Sequence, residues 1–521
     1  MPTLDAYDAV PYDDCPITES SPDYISVIGR LFGIETESPQ ACRVLELGCA
    51  AGGNLIPLAF YWPNSSFIGV ELSKHQAAMG NALIDKLQLD NINIIHSDIL
   101  QLDSSIGSFD YIIVHGVFSW VPSQVQDHIL KLCRTLLRKN GIAYISYNTL
   151  PGWYLRMPVR DMMLRHSHHA STVEEKTHKS IEMLRTLSAG LPAKGQGSLS
   201  EQWLKEEVDK LLTISPAHLL HDYLEPNNQP FYFHDFMERV SDHGLQYLAE
   251  AHLYTMLEPA AGNEMEAALD KFDNIVDYEQ HLDYLSVRHF RQSLLCHDSR
   301  VVERDLDIDK LRHHYVFTLL ACNEEIDLST VSPQLFTDRR GASFSISHPL
   351  TKAAIVALAE IYPASCGFDE LLLQARRILK EFDSDYLAAD ADALLDELFH
   401  LYLSQGVRFT LAQRNLPNGV ARRPQANALA RYYSEDGRCC TGSAHHISIH
   451  LDIVDRFVIS VLTGDHDLTQ IKDKLEHKMA SDADFKSFVE KNTKNISLES
   501  YLEQTLFHFA AHGLLVDSDG T

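Results

Sequence analysis

Glu46, Gly48, Cys49, Ala50, Gly52 and Asn54 stand together in one short segment, Arg43-Val44-Leu45-Glu46-Leu47-Gly48-Cys49-Ala50-Ala51-Gly52-Gly53-Asn54-Leu55-Ile56-Pro57. A short apolar run enters a turn of small residues and a helix-like stretch follows, which is how the first βα unit of a doubly wound sheet begins. Glycine at position 48 allows a sharp turn, and Gly52 and Gly53 allow backbone to approach a ligand closely. A dinucleotide loop would want glycine where Ala50 stands, and a carboxylate at Glu46 fits poorly beside a pyrophosphate. That acid suits a ligand with a cationic amino-acid head and no phosphate, and S-adenosylmethionine is such a ligand. Taken alone, the loop leaves NAD or FAD binding and a purely structural turn open.

Further acids narrow the choice. Ser66–Glu71 reads as a second strand whose terminal carboxylate, followed by Leu72, can accept both hydroxyls of a ribose. Ile92–His96 reads as a third strand, after which Asp98 can accept from an adenine amino group while Ile99 packs on the ring. A fourth strand, Phe109–Val114, opens through His115 and Gly116 toward the same crevice, and Ile142–Tyr147 reads as a fifth. Any one of these acids is more often a helix cap or a solvated turn. Three at successive strand ends, in register, favour S-adenosylmethionine as cofactor.

At this point the chain resembles the class I S-adenosylmethionine-dependent methyltransferases of the bacterial protein-lysine type that carry a methyltransferase regulatory domain, members of which modify a rickettsial outer-membrane protein. The matching segments are Tyr7-Asp8-Ala9-Val10-Pro11-Tyr12, the loop from Leu45 to Pro57, His115-Gly116-Val117-Phe118-Ser119-Trp120-Val121-Pro122, Ser146-Tyr147-Asn148-Thr149-Leu150-Pro151-Gly152-Trp153, and Tyr223 through His234. Leu150 stands where relatives commonly have an aromatic residue. The resemblance covers most of the chain and implies N-methylation of lysine in a protein substrate, with a homodimer as the assembly.

Methyl transfer from a sulfonium is an in-line displacement, so alignment of nucleophile, methyl and sulfur does most of the work. A lysine acceptor must first lose its proton from an ordinary pKa of about 10.4, and desolvation in an apolar channel lowers that value. Tyr12, Phe118, Trp120, Tyr147, Asn148 and Trp153 are the candidates for such a channel, with Tyr147 or Asn148 placed to orient the amine. Aromatic residues at such places are more often core, and only their positions after the fourth and fifth strands recommend them. Neither Asn-Pro-Pro-Tyr nor Asp-Pro-Pro-Tyr follows the fourth strand, which argues against amino-methylation of adenine or glutamine. A small-molecule methyltransferase and a non-catalytic cofactor-binding regulator remain as alternatives.

The elements that must hold these residues amount to an α/β architecture. It comprises a Rossmann-like class I methyltransferase domain with a helical insertion, followed by two C-terminal winged-helix-like α+β modules. We expect a cofactor-binding core over 1–158, a helical cap for substrate or dimer contacts over 159–230, the rest of the sheet over 231–300 with its last strand at 287–296, and a connector over 301–345. The modules are expected at 346–415 and 440–521. Each reads as three helices and a strand, and Leu398-Phe399-His400 and Leu506-Phe507-His508 recur in the third helices. Those helices carry Asp392, Asp396 and Glu397 in one case and Glu499 and Glu503 in the other, so a protein-contact or structural role is favoured over DNA binding.

Bulk composition agrees with that choice. Only 44 Lys and Arg oppose 72 Asp and Glu, a net charge of −28, and such a surface repels polyphosphate. A protein partner is therefore expected and a nucleic acid is not. No apolar run is long enough to span a bilayer, and Met1–Cys15 lacks the marks of a secretory leader. Nine scattered cysteines without a Cys-x-x-Cys pair suggest a cytoplasmic protein with reduced, buried thiols. The histidine groups His166, His168, His169; His313, His314; and His445, His446 lack the partners that would close a metal site, and are expected at the surface.

Overall fold

The computed structural model describes residues 14–193, 195–256, 269, 271–322, 324–338, 341–381, 391–416, 419–494 and 496–516. After α1 (Pro22–Leu31), capped by the Ser21 side chain and started by Pro22, five parallel strands follow, joined by helices except between the third and fourth, where two short turns stand instead. These are β1 (Arg43–Leu47), α2 (Leu55–Tyr61), β2 (Ser66–Glu71), α3 (Lys74–Leu87), β3 (Ile92–His96), β4 (Phe109–Val114), α4 (Ser123–Leu136) and β5 (Leu137–Asn148). Every residue of β4 is buried, as a strand covered on both faces must be. One face packs Val44, Ile113 and Tyr144 against Ile25 and Ile28 of α1. The other packs Leu47, Ile112 and Ile145 against Ile129, Leu130 and Cys133 of α4.

The chain leaves β5 at Thr149 and returns at Phe231, where the two residues form a β-bridge and the Leu150 N–H donates to Phe231 O at 2.8 Å. Between them lie α5 (Gly152–His166), α6 (Val173–Gly190), α7 (Leu199–Leu211) and α8 (Pro216–Tyr223). The insertion has its own core of Trp153, Val159, Met163, Leu184, Val208 and Leu220. It therefore opens at the strand end, ahead of the expected residue 159. Then follow α9 (Phe233–Asp242), β6 (Leu245–Glu250), α10 (Ile275–Ser286) and β7 (Phe290–His297). The last strand starts later than expected because Val287 takes a left-handed φ of 49° to end α10.

The sheet order is β3-β2-β1-β4-β5-β7-β6, with β7 antiparallel to both neighbours. Strand order reverses between β1 and β4, which opens a crevice at their carboxyl ends. All the cofactor candidates lie around that crevice.

The stretch expected as a connector instead supplies a strand to the first C-terminal module. β8 (Tyr315–Thr318) is the central strand of a three-stranded sheet. The hairpin β9 (Gln334–Thr337) and β10 (Ser343–Ile346) precedes α11 (Pro349–Ile361), β11 (Cys366–Gly367), α12 (Phe368–Glu381), α13 (Ala391–Leu403) and β12 (Val407–Thr410). A four-residue strand carries too little periodicity to be read alone. The second module starts before residue 440: Gln425 bridges to Thr463 and Ala426 to Leu515. It contains α14 (Ala428–Glu435), β13 (Cys440–Gly442), β14 (Ser448–His450), α15 (Ile453–Val461), α16 (Leu468–Ser481), α17 (Ala483–Asn492) and α18 (Leu498–Ala511). Of these, α14, β13, β14 and α17 had not been expected, and the strand expected at 514–516 is a single bridge at Leu515.

Two expectations about side chains are corrected. Cys15 and Cys440 form a disulfide across a sequence separation of 425, so the thiols are not all reduced; no local spacing can signal such a pair. His314, His445 and His446 are buried rather than superficial. His445 stacks on Phe317 with ring centroids 3.8 Å apart and its Nε2 meets Pro363 O at 2.6 Å. Among the described residues no helix is long and apolar enough to cross a membrane.

Candidate active site

The turn after β1 runs through left-handed backbone at Gly48 (φ 76°), Ala50 (φ 50°) and Gly52 (φ 80°). Alanine in that region costs roughly 1–2 kcal/mol, so Ala50 reproduces the glycine conformation at the position that had seemed a departure. The fold holds it there, because the Ala50 N–H donates to Glu71 Oε2 at 2.9 Å. Cys49 contributes backbone only: its Sγ turns onto Gly69, where an added Cβ would lie 2.5 Å away. Burial pushes its thiol well above the ordinary range. Gly53 is needed for a different reason from the one expected. A Cβ there would lie 2.1 Å from Asp14 O, so the N-terminal segment, and not a ligand, occupies that space.

Glu46 is buried at the carboxyl end of β1 and its Oε1 accepts from Asn54 Nδ2 at 3.0 Å. Its Oε2 is buried with no hydrogen-bond partner among the described residues. Burial drives its pKa up to about 8, the Asn54 hydrogen bond opposes this, and Asp14 and Glu71 add to the rise. An orphaned buried carboxylate oxygen costs stability unless something completes it, and an ammonium group is the matching partner. The residues thus fit the amino-acid end of S-adenosylmethionine.

A consequence is measurable. The Glu46 carboxyl is largely protonated at pH 6–7 in the free protein, and a cationic ligand favours the carboxylate, so binding releases a proton. Affinity for the cofactor should rise with pH from 6 toward 8, by up to about tenfold per unit on the acid side, and this slope should vanish in Glu46→Gln. Calorimetry in two buffers of different ionisation enthalpy checks the proton release; a flat profile in the native protein would show that Glu46 does not face the cation.

At the end of β2 both oxygens of Glu71 are used, Oε2 by Ala50 N–H and Oε1 by Ser73 N–H at 2.7 Å, which fixes the carboxylate toward the crevice mouth. Leu72 beside it is 49% exposed, an apolar shelf next to the carboxylate. Asp98 Oδ1 caps the following turn through the Leu100 N–H at 2.9 Å, the ordinary role for an acid there, and Ile99 is half-buried next to it.

After β4, burial brings His115 down to about pKa 4 against the opposing influence of Glu19, so the imidazole is neutral. Its Nδ1 lies 2.9 Å from the Tyr144 hydroxyl, which accepts from Gln292 Nε2 at 2.8 Å. Gly116 (φ 65°) donates its N–H to Ser146 Oγ at 2.9 Å and has open space where a side chain would stand.

The aromatic candidates divide. Tyr12 lies outside the described residues. Tyr147 is a core residue: it stacks on Phe236 with centroids 4.0 Å apart and its hydroxyl meets Ser293 Oγ at 3.1 Å. Phe118 is fully buried in the same cluster, its ring edge on Phe236 at 5.3 Å. Trp153 is buried in the core of the insertion beside Tyr223, and half-buried Trp120 packs against it at 6.3 Å. Neither Tyr147 nor Phe118 can line a channel, because each sits on the face of the sheet covered by α4 and α9.

Asn148 is held instead at the strand end. Its N–H donates to Ser119 Oγ at 2.8 Å and its Nδ2 to Asn228 Oδ1 at 2.9 Å, which leaves Oδ1 as an acceptor. Phe290, opposite Asn148 in register, is 37% exposed and 6.1 Å from the His115 ring. It is an aromatic at the crevice that sequence reading missed, since strand periodicity gave it no distinction. Ile17, Ser20 and His446, which hydrogen-bond to Asn54, and Asp14, which lies against Gly53, were missed as well; they come from distant parts of the chain.

Comparison with known proteins follows the same outline. Residues 44–141 match the family model described as a methyltransferase domain, residues 215–297 a predicted methyltransferase regulatory domain, and residues 422–514 the C-terminal winged helix domain of PKMT. The uncharacterized protein RP789 of Rickettsia prowazekii is 33% identical over 468 residues, covering 88% of this chain and 84% of that protein. RP028 of the same organism is 38% identical over 235 residues, which is 45% of this chain and 93% of the relative. Among solved structures, PKMT2 from Rickettsia typhi superimposes with a TM-score of 0.82 at 26% identity, over 97% of this chain and all of that one. Its complex with AdoHcy gives 0.83.

Proposed function

This chain belongs to the S-adenosylmethionine-dependent methyltransferase family of the rickettsial RP789 and PKMT2 proteins, and from that premise we propose that it methylates lysine side chains of a protein substrate. The observation that carries the cofactor's placement is the partnerless, buried Oε2 of Glu46 beside a left-handed loop, with Glu71 at the next strand end. In this reading Glu46 faces the ammonium, Gly48 to Gly52 supply backbone, Glu71 takes the ribose and Leu72, Asp98 and Ile99 flank the adenine. When bound, the cofactor supplies an electrophilic methyl group on a sulfonium.

The chain's own residues have two tasks at the acceptor. One is to hold the amine in line, and Asn148 Oδ1 is placed to accept from it. The other is to favour the uncharged amine, and Phe290 with neutral His115 makes a weakly polar wall that does so by desolvation. No strong base is required, since an amine with a depressed pKa loses its proton to water. A net charge of −28 attracts a lysine-rich protein and repels a nucleic acid, in agreement with the PKMT likeness.

The test is transfer of labelled methyl to a bacterial lysate, followed by total acid hydrolysis and amino-acid analysis. Label is expected in methylated lysines. Label confined to the small-molecule fraction would replace this reading with a metabolite methyltransferase, and bound cofactor without turnover on either fraction would replace it with a regulator.

A further inference from the structure

The second C-terminal module reaches the cofactor loop through the side chain of His446. The Asn54 amide that holds Glu46 makes four hydrogen bonds. Nδ2 donates to Glu46 Oε1 and to Ser20 Oγ, both at 3.0 Å. Oδ1 accepts the Ile17 N–H at 2.9 Å and meets His446 Nε2 at 2.8 Å. Because a backbone N–H can only donate, the atom facing Ile17 is the carbonyl oxygen, and His446 must therefore carry its proton on Nε2. The imidazole is neutral, pushed down to about pKa 3 by burial and the Arg414 charge, and its Nδ1 has no hydrogen-bond partner among the described residues.

His446 sits in the turn joining β13 to β14, at a left-handed φ of 55°. That turn is seated on the methyltransferase domain from both sides. Thr18 Oγ1 donates to His446 O at 2.9 Å. The Tyr61 hydroxyl, at the end of α2, donates to Gly513 O at 3.1 Å and accepts from Asn427 Nδ2 at 3.0 Å. A Cβ on Gly442 would lie 2.6 Å from Pro57 in α2. The helix that starts at the cofactor loop is thus the platform on which the module docks.

We propose that this winged helix completes the cofactor site, with His446 as a positioning residue that locks Asn54 and through it the carboxylate of Glu46. The proposal rests on the placement of Glu46 given above and adds a role for the module. Without the fourth hydrogen bond Asn54 can rotate, Glu46 loses its fixed direction, and the cofactor loses preorganised binding while the acceptor pocket is untouched.

The full-length variants His446→Ala, His446→Gln and His446→Asn separate this from general packing. Glutamine places an amide nitrogen where Nε2 stood, and asparagine is too short to reach. His446→Ala and His446→Asn should raise KM for S-adenosylmethionine about tenfold with KM for the protein acceptor unchanged, and His446→Gln should restore it to within about threefold. If alanine fails to fold, the comparison of glutamine with asparagine carries the test. Equal cofactor KM in glutamine and asparagine variants, or parallel loss for both substrates, overturns the proposal. Glu46→Gln, assayed alongside, keeps the two readings distinct: if it weakens cofactor binding and the histidine variants do not, only the role of the module falls.

Discussion

Arg291→Met should destabilise the methyltransferase sheet by about 3–5 kcal/mol, with a deficit that grows as pH rises. Arg291 is fully buried in β7 and its guanidinium meets three acids: Glu250 Oε1 of β6 at 2.6 Å, and Glu279 Oε2 at 2.9 Å and Asp283 Oδ1 at 2.8 Å from α10. Its Cζ also lies 3.9 Å over the Phe233 ring at the start of α9. One side chain therefore joins two strands and two helices.

Burial raises the Glu279 carboxyl to about pKa 7 and also raises Asp283, each opposed by Arg291. Burial acts on Glu250 in the same direction, yet Arg291 and Arg288 together bring it below its usual value. Methionine fills the volume and leaves Arg288 as the remaining ion-pair partner of the acids among the described residues, with Arg304 acting on Glu279 from farther off. Those carboxyls would then take up protons in the folded state, so stability present at low pH is lost as pH climbs through their raised values. Urea midpoints at pH 5.5 and 8 check both claims. A variant that also carries Glu250→Gln, Glu279→Gln and Asp283→Asn should recover much of the loss and flatten its pH dependence. A single variant within 1 kcal/mol of the native protein would mean the cluster is not buried as drawn.

The Arg291 cluster shows why parts of this molecule escape reading from sequence. Glu279 and Asp283 stand four apart on α10, with Arg288 and Arg291 soon after, and such spacing ordinarily marks a solvated helix face. Nothing local says that the face turns inward. The cofactor loop was legible because its signal is local: an apolar strand, small residues with positive φ, then a helix. Successive strand ends could be aligned for the same reason.

Tyr147 lies in the core rather than at the crevice for a physical reason. In Ile142-Ala143-Tyr144-Ile145-Ser146-Tyr147 both faces are covered, so alternation carries no inside and outside, and the residue that reaches the crevice side is Tyr144. His446 and Asp14 meet the site through docking of segments far apart in sequence, a tertiary event with no periodic trace. The acid-rich third helices favoured a protein-contact or structural role, and the second module does contact the methyltransferase domain through His446 and Gly442.

Glu71→Ala should weaken binding of S-adenosylmethionine at least tenfold, or about 1.4 kcal/mol, and the pattern across ligand fragments identifies why. A carboxylate offers roughly four acceptor positions, and here two of them hold the Ala50 and Ser73 N–H groups. In the proposed placement the group that meets the ribose also secures the left-handed Ala50, so its loss would remove a ligand contact and relax the loop. Glu71→Asp keeps the charge but is one methylene shorter, and it should fall between the native protein and alanine.

S-adenosylhomocysteine and 5′-methylthioadenosine, titrated by calorimetry, divide the site. Methylthioadenosine keeps the ribose and adenine and lacks the amino-acid end. Glu71→Ala should weaken both ligands by similar factors, whereas Glu46→Gln should weaken S-adenosylhomocysteine alone. The reverse pattern would exchange the two carboxylates and turn the ligand end for end in the crevice, and unchanged affinity in both variants would place the cofactor elsewhere.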